Sequence, residues 1–411
     1  MPSFASDATV WFTQDRGLRA LSHARGGMDH SDTDQFALGQ SLFSKPWVEA
    51  PAATRARDGL GPLYNANSCS SCHQNLGGGK AVGPVTGIDR SLVIRLNADP
   101  VYGSQIAINA IHGVKFEAVV GADFEISTFA YADGSRVSLR RPYFRLENLN
   151  YGPLHPKTRL GPRRAPMLVG LGLVEQIPAR QILELADPED RNNDGISGKS
   201  NRVWSKQRDS WMLGRFGWKA GSSGIVDQTA KALIDDMGLT SPLYAAESCT
   251  DRQIQCRNSY VSENPDVPWQ RLDAIGFFLR HLKAPKSNLP IGGAHLFEQI
   301  GCEACHRSGY RIGKLTVNPY SDYLLHDMGP ALADGSQTAD AGPAEWRTAP
   351  LWGLGLAKIL NPNAGYLHDG RAATLEESIL WHGGEAESAR RAFAALARDQ
   401  RRQLISFLKA L

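Results

Sequence analysis

The chain has 411 residues, more than a single hydrophobic core usually serves, so two domains are expected. With 42% apolar and 21% charged residues it has a globular composition, and a net charge of +3 is too balanced for a nucleic-acid-binding surface. No apolar run approaches the length that spans a bilayer.

The first residues, Met1 to Asp7, lack the basic-then-apolar order of a signal peptide, which fits either a cytosolic protein or one whose leader has been removed. Apolar residues at 36, 38, 39, 42 and 43 have helical spacing. They precede Cys69-Ser70-Ser71-Cys72-His73, the first of two C-x-x-C-H motifs; the second is Cys302-Glu303-Ala304-Cys305-His306. Two thiols at this spacing can form thioethers to the vinyl groups of one porphyrin, and the adjacent His then binds iron from the proximal side. A zinc site or a redox dithiol would not require a His at the same place after both pairs. Two covalently bound c-type haems are therefore expected, on Cys69, Cys72 and His73 and on Cys302, Cys305 and His306. Such haem is fitted outside the cytoplasm in bacteria, which favours a periplasmic protein with its leader removed.

Between the motifs, Leu92–Leu96, Val114–Val120 and Val137–Leu139, with a turn at Asp133-Gly134, predict a small antiparallel β insertion over about 86–155. The Asp/Asn-rich loop 187–201 follows. Within it, Asp190, Asn192, Asp194 and Ile196 around Gly195 match the start of an EF-hand-type calcium loop. Asn201 stands where that loop has its bidentate Glu, and a solvated Asp/Asn/Gly turn is the alternative. Cys249 and Cys256 have no His nearby and read as a local disulfide, with two free thiols as the alternative. Residues 268–283 predict an amphipathic helix with Trp269, Leu272, Ile275, Phe278 and Leu279 on one face. Ala284–Pro290 reads as a linker, and Gly293–Gly301 repeats the helix that precedes the first motif. A last amphipathic helix is expected over 386–411, with Arg390, Arg391, Arg398, Arg401 and Arg402 opposite the apolar face. The expected architecture is mainly α: two cytochrome c-like haem domains, 1–285 and 286–411, the first carrying the β insertion.

Further stretches carry a resemblance. Trp346-Arg347-Thr348-Ala349-Pro350-Leu351-Trp352-Gly353, Gly365-Tyr366-Leu367-His368-Asp369-Gly370-Arg371 and Thr374-Leu375-Glu376-Glu377 resemble the C-terminal half of bacterial di-haem cytochrome c peroxidases and their MauG-like relatives. Arg57–Leu63, Arg164-Ala165-Pro166, Gly170-Leu171-Gly172, Asp194–Gly198, Gly214–Ala220 and Leu325–Gly329 look still more like the di-haem oxidoreductase family. In the peroxidases, the helix after His-Asp-Gly carries a Met that ligates the C-terminal haem; a Tyr serves in MauG. The matching residue here is His382, so the resemblance implies a His306/His382 pair, with Met328 and His326 as alternatives. A His in place of Met lowers the reduction potential. His368 matches a position that relatives keep without using it as a ligand.

Many relatives also supply a distal His from a loop soon after the first motif. Here the next His after His73 is His112, which implies an open or water-filled N-terminal haem. Glu175, with Gln176 beside it, lies where relatives place distal polar residues, and would provide acid–base help; a surface Glu at a helix start is the alternative reading. Trp218 is the residue implied between the haems. The family resemblance thus implies a periplasmic peroxidase reducing hydrogen peroxide at the N-terminal haem. A small electron donor, a cytochrome c or a cupredoxin-like protein, would deliver electrons through the C-terminal haem. The rival readings are a pure electron carrier and an oxidase of thiols or of a protein side chain.

Overall fold

The computed structural model describes residues 8–84, 89–259, 265–287 and 291–411. Residues 288–290 of the expected linker and 86–88 of the expected β insertion lie outside the described residues. The chain does not form the mainly α, cytochrome c-like pair that its sequence suggested. It is 29% helix and 21% strand, with the strands spread over several small sheets. The difference lies in segments that read as loops. Arg202–Ser205 pairs with Ser210–Leu213, Tyr310–Ile312 with Leu315–Val317, and Leu325–Asp327 with Glu345–Arg347. Strands of three or four residues show too few alternations to stand out from loop sequence.

Eight helices position the site: α1 (His30–Ser44), α2 (Leu171–Gln176), α3 (Ile225–Met237), α4 (Trp269–Arg280), α5 (Ile291–Gln299), α6 (Leu375–Leu380), α7 (Glu387–Ala395) and α8 (Arg398–Ala410). Asp29 caps α1 by accepting from Asp32 N at 2.8 Å, which satisfies one of the free N–H groups of the first turn. α1 crosses α4 at backbone contact, since a Cβ on Gly39 would lie 1.9 Å from Ala274 O. Phe36 and Phe43 flank that crossing, 5.0 and 5.5 Å from the Phe278 ring. Leu272, Ile275, Phe278 and Leu279 are buried as the periodicity of α4 predicts, whereas Trp269 at the helix start stays 41% exposed.

The predicted β insertion forms two sheets that share one apolar cluster, in which Leu92, Ile94 and Leu96 meet Val120, Phe124, Phe144 and Leu146. β1 (Leu92–Asp99) is central in an antiparallel sheet with β2 (Gly103–Gln105) and β5 (Leu160–Arg164). β3 (Val119–Ala130) and β4 (Arg136–Glu147) make a long ribbon in register from Val119↔Glu147 to Ala130↔Arg136. Its turn uses Gly134 at φ 81°, a conformation open to glycine at little cost. The tip reaches the C-terminal helices: Tyr131 Oη donates to Glu376 at 2.8 Å, and Arg401 bonds Asp133 at 2.7 Å while lying 3.7 Å over the Tyr131 ring.

That contact corrects the reading of residues 386–411. The single helix expected there is two, α7 and α8, separated by extended backbone at Leu396 and Ala397. Arg401 is buried at 5% exposure rather than displayed on the polar face. The largest apolar cluster joins Trp11, Phe36, Val226 and Phe278 to Tyr323, Trp352 and Leu356. A second joins Phe297, Phe393, Leu404 and Phe407 to Tyr131 and Leu139 of the ribbon. Among the described residues, no helix is long and apolar enough to cross a membrane.

Candidate functional site

Both C-x-x-C-H motifs line one continuous cavity of about 720 Å³. Cys69–Cys72 forms a single helical turn, capped by Ser68 accepting from Ser71 N at 3.2 Å. His73 then points its Nδ1 at Pro166 O, 2.9 Å away across the fold. The second motif opens at Gly301 with φ 83° and makes a 3-10 turn over Cys302–Ala304. His306 points its Nδ1 at Tyr320 O, at 3.0 Å. A carbonyl only accepts, so in both rings Nδ1 carries the proton and Nε2 keeps a free lone pair. Burial lowers the pKa of each ring to about 4, which keeps it neutral and available to a metal. Burial also pushes the Cys69 and Cys302 thiols up to about 12.

Three further histidines line the cavity. His382, just beyond α6, is held by its Nδ1 on Ser378 O at 2.8 Å, the same one-nitrogen arrangement as His73 and His306. It lies near enough to His306 to help depress that ring's pKa. His326, one of the alternative ligands, has both nitrogens committed to carboxylates, Asp322 at 2.8 Å and Glu385 at 2.7 Å. Met328, the other alternative, also lines the cavity. His368 stacks on Trp346 with ring centroids 3.7 Å apart. His112 and His155 are exposed, and neither lines the cavity.

Glu175 and Gln176 do not line it either. Glu175 Oε1 accepts from Ile225 N at 2.8 Å, capping α3, and its Oε2 pairs with Arg280 Nε at 2.6 Å. Gln176 bonds back to Gly172 O at 2.7 Å. The polar groups that α3 does present to the cavity are Gln228, Thr229, Lys231 and Asp236, with Lys231 paired to Asp235 at 3.0 Å. Asp236 is half-buried, accepts from Gln105 Nε2 at 2.8 Å, and raises the pKa of both Cys69 and Cys72.

The cavity wall also holds four buried cations that the sequence reading gave no role: Arg164, Arg215, Lys219 and Arg347. Their hydrogen bonds run to backbone carbonyls: Arg164 to Ala165 and Leu367, Arg215 to Val174 and Ile177, Lys219 to Gly342 and Glu345, Arg347 to Gly217 and Thr348. None forms an ion pair with a carboxylate among the described residues. The wall is connected, because Trp218 Nε1 donates to Arg164 O at 2.7 Å and Arg347 N donates to Trp218 O at 2.9 Å. A buried cation without a counter-charge is costly unless an anion is supplied from elsewhere. Two haems would bring four propionates to this apolar cavity, so the residues present fit that group. Charged residues inside Gly-Arg-Phe-Gly-Trp-Lys-Ala and Arg-Ala-Pro, otherwise apolar or Gly-rich, were the available signal.

Cys249 and Cys256 are joined by a disulfide. The Asp/Asn loop turns its oxygens on itself: Asp190 accepts from Asp194 N and Gly195 N, Asn192 donates to Asp194, and Asp194 accepts from Ile196 N. Among the described residues, the one grouping with metal-ligand geometry is Cys305, Asp322 and His326.

No curated protein and no solved structure compared with the chain matches it. Residues 3–115 and 103–411 match the family described as "Di-haem oxidoreductase, putative peroxidase". The two histidine-bearing cradles on one cavity thus belong to a member of the di-haem oxidoreductase family, with haem as its cofactor.

Proposed function

We propose that the protein is a periplasmic di-haem c-type peroxidase. It takes electrons from a small redox protein at its C-terminal haem and reduces hydrogen peroxide at its N-terminal haem. One observation carries the reading: His73, His306 and His382 each have Nδ1 held by a carbonyl and line the same cavity, with His382 near enough to His306 to act on its charge. Haem held by these residues supplies reversible one-electron chemistry and, where a coordination position is open, a place for peroxide.

The chain's own residues do the rest. Cys69 and Cys72 would anchor one porphyrin and Cys302 and Cys305 the other. Pro166 O and Tyr320 O fix the tautomer and orientation of the proximal rings. His382, held by its Nδ1 on Ser378 O at 2.8 Å, would be the second histidine to hold the C-terminal haem. Among the described residues of the first half, only His73 brings an imidazole to the cavity, which supports an open position there. Peroxide reduction needs a group that moves a proton between its two oxygens. Both oxygens of Glu175 are engaged elsewhere, so this role falls to Asp236, a half-buried carboxyl on the cavity wall whose pKa is raised by desolvation. The Cys249–Cys256 disulfide is consistent with an oxidising compartment.

The test is to express the protein with a periplasmic leader, count covalent haems by pyridine haemochrome, and record EPR of the ferric state. Two covalent haems, one low-spin and one with a high-spin signal that responds to peroxide, are expected. Two low-spin haems with no peroxide turnover would leave only an electron carrier. Asp236→Asn should depress kcat more than KM and remove an acidic limb from the pH profile.

A further inference from the structure

Against Cys305 lies a group of buried ionisable side chains that haem attachment and axial ligation leave unused. His326 is 3% exposed, with Nε2 2.8 Å from Asp322 Oδ2 and Nδ1 2.7 Å from Glu385 Oε2. A neutral imidazole donates through one nitrogen only, so two carboxylates at these distances call for the imidazolium. The remaining oxygens are satisfied as carboxylates. Asp322 Oδ1 accepts from Leu324 N at 2.9 Å, and Glu385 Oε1 accepts from Ser197 Oγ at 2.8 Å and Asp327 N at 3.1 Å. Ser197 N also donates to Glu385 Oε2, at 3.1 Å. One cation between two anions leaves a net negative charge in a buried place.

That charge touches the cradle. Cys305 Sγ lies 3.8 Å from His326 Nδ1, Asp322 N donates to Cys305 O at 2.9 Å, and His326 and Glu385 both line the cavity. Gly198 lies flat on the ring: a Cβ there would be 2.7 Å from His326 Cε1. Lys199 pairs with Glu345 at 2.6 Å, and the buried Arg347 acts on Asp322 from a distance without forming an ion pair with it, so the group of three keeps one excess negative charge.

We propose that Asp322, His326 and Glu385 form a built-in anionic counter-charge that holds the C-terminal haem at low potential, with Ser197 keeping Glu385 in place. This rests on the di-haem reading above. Oxidation adds one positive charge to the iron, and a fixed negative charge in a low-dielectric interior favours the oxidised form. His326 is what lets two carboxylates stay ionised together while buried. With both nitrogens engaged it is a potential-setting residue and no axial ligand. The link through Ser197 ties this setting to the Asp/Asn-rich surface loop.

The test is spectroelectrochemical titration of the holoenzyme, with EPR of each variant. Asp322→Asn and Glu385→Gln should each raise the potential of the C-terminal haem while leaving its low-spin EPR signal and the N-terminal potential in place. Asp322→Glu, which keeps the charge, should restore the lower value. Ser197→Ala, on the loop side, should give a smaller rise and serves if the buried variants fail to accumulate haem. Unchanged C-terminal potentials in every variant that retains both haems would overturn the proposal. A wild-type protein without a covalent haem at Cys302 and Cys305 would instead sink the di-haem reading itself.

Discussion

Gly172→Ala is the sharpest probe of how packing positions the first cradle. A Cβ at residue 172 would lie 1.8 Å from Arg280 O and 2.7 Å from Arg280 C, so α2 and the end of α4 meet backbone to backbone. An ordinary carbon–oxygen contact needs roughly 1.5 Å more separation, and interiors have no slack of that size. Overpacking of this kind costs about 1–3 kcal/mol. The retreat of α2 also opens the Glu175–Arg280 pair, now at 2.6 Å with side chains 20% and 27% exposed. Solvent screening limits that part to about 1 kcal/mol or less. The total is about 3 kcal/mol. With an unfolding entropy of about 2.1 cal/mol/K per residue, a chain of this size loses about 3 °C in Tm. The effect should also reach the first cradle, because Arg215 holds the Val174 carbonyl of α2 and the Ile177 carbonyl just beyond it, and the chain just before α2 carries the Pro166 carbonyl on His73. Thermal unfolding followed by circular dichroism, with the Soret band and ferric EPR as second readouts, measures both. A variant with the wild-type midpoint and the wild-type spectrum would refute the claim that this glycine sets the α2–α4 approach.

His382→Met should change the optical spectrum of the C-terminal haem and raise its potential, as a thioether favours ferrous iron more than imidazole does; an unaltered spectrum removes His382 from the coordination sphere. Replacing both Cys249 and Cys256 by Ser opens a loop of sequence separation 7 and should cost about 2 kcal/mol in urea unfolding. An identical midpoint would show that the loop is held without the bridge. Burial raises the Glu117 pKa from 4.5 to about 8. The unfolded chain therefore ionises first, and the stability this carboxyl contributes is full below about pH 4.5 and lost as pH climbs through about 8. Glu117→Gln should flatten the urea midpoint between pH 5 and pH 8, and a pH profile unchanged by the substitution would count against a neutral Glu117.

Much of the site was legible because its chemistry is local. Cys69, Cys72 and His73 lie within five consecutive positions, and so do Cys302, Cys305 and His306. Covalent spacing of that kind survives any tertiary arrangement. α1, α4 and α5 were legible for the same reason, since helical periodicity is written over two or more turns. The short sheets were not, because strands of three residues gain their identity from partners far along the chain, as Leu325–Asp327 does from Glu345–Arg347. The final helix was read as continuous because its apolar face continues in phase across Leu396 and Ala397, where the backbone breaks. Glu175 was misleading for a related reason: its position after Arg164-Ala165-Pro166 was visible, but its engagement by Arg280 and the α3 N-terminus was not.

By itself, then, the sequence determined the two C-x-x-C-H motifs and the resemblance to the di-haem oxidoreductase family, which the family match bears out. Only the tertiary structure decided that both cradles open on one cavity, that Arg164, Arg215, Lys219 and Arg347 face it without carboxylate partners, and that His326 is spent on Asp322 and Glu385. The physical reason is range. The C-x-x-C-H spacing and helix periodicity depend on neighbours a few residues apart. Buried charge is balanced by whatever the fold brings near, and those partners lie from 4 to 59 residues away for His326 alone.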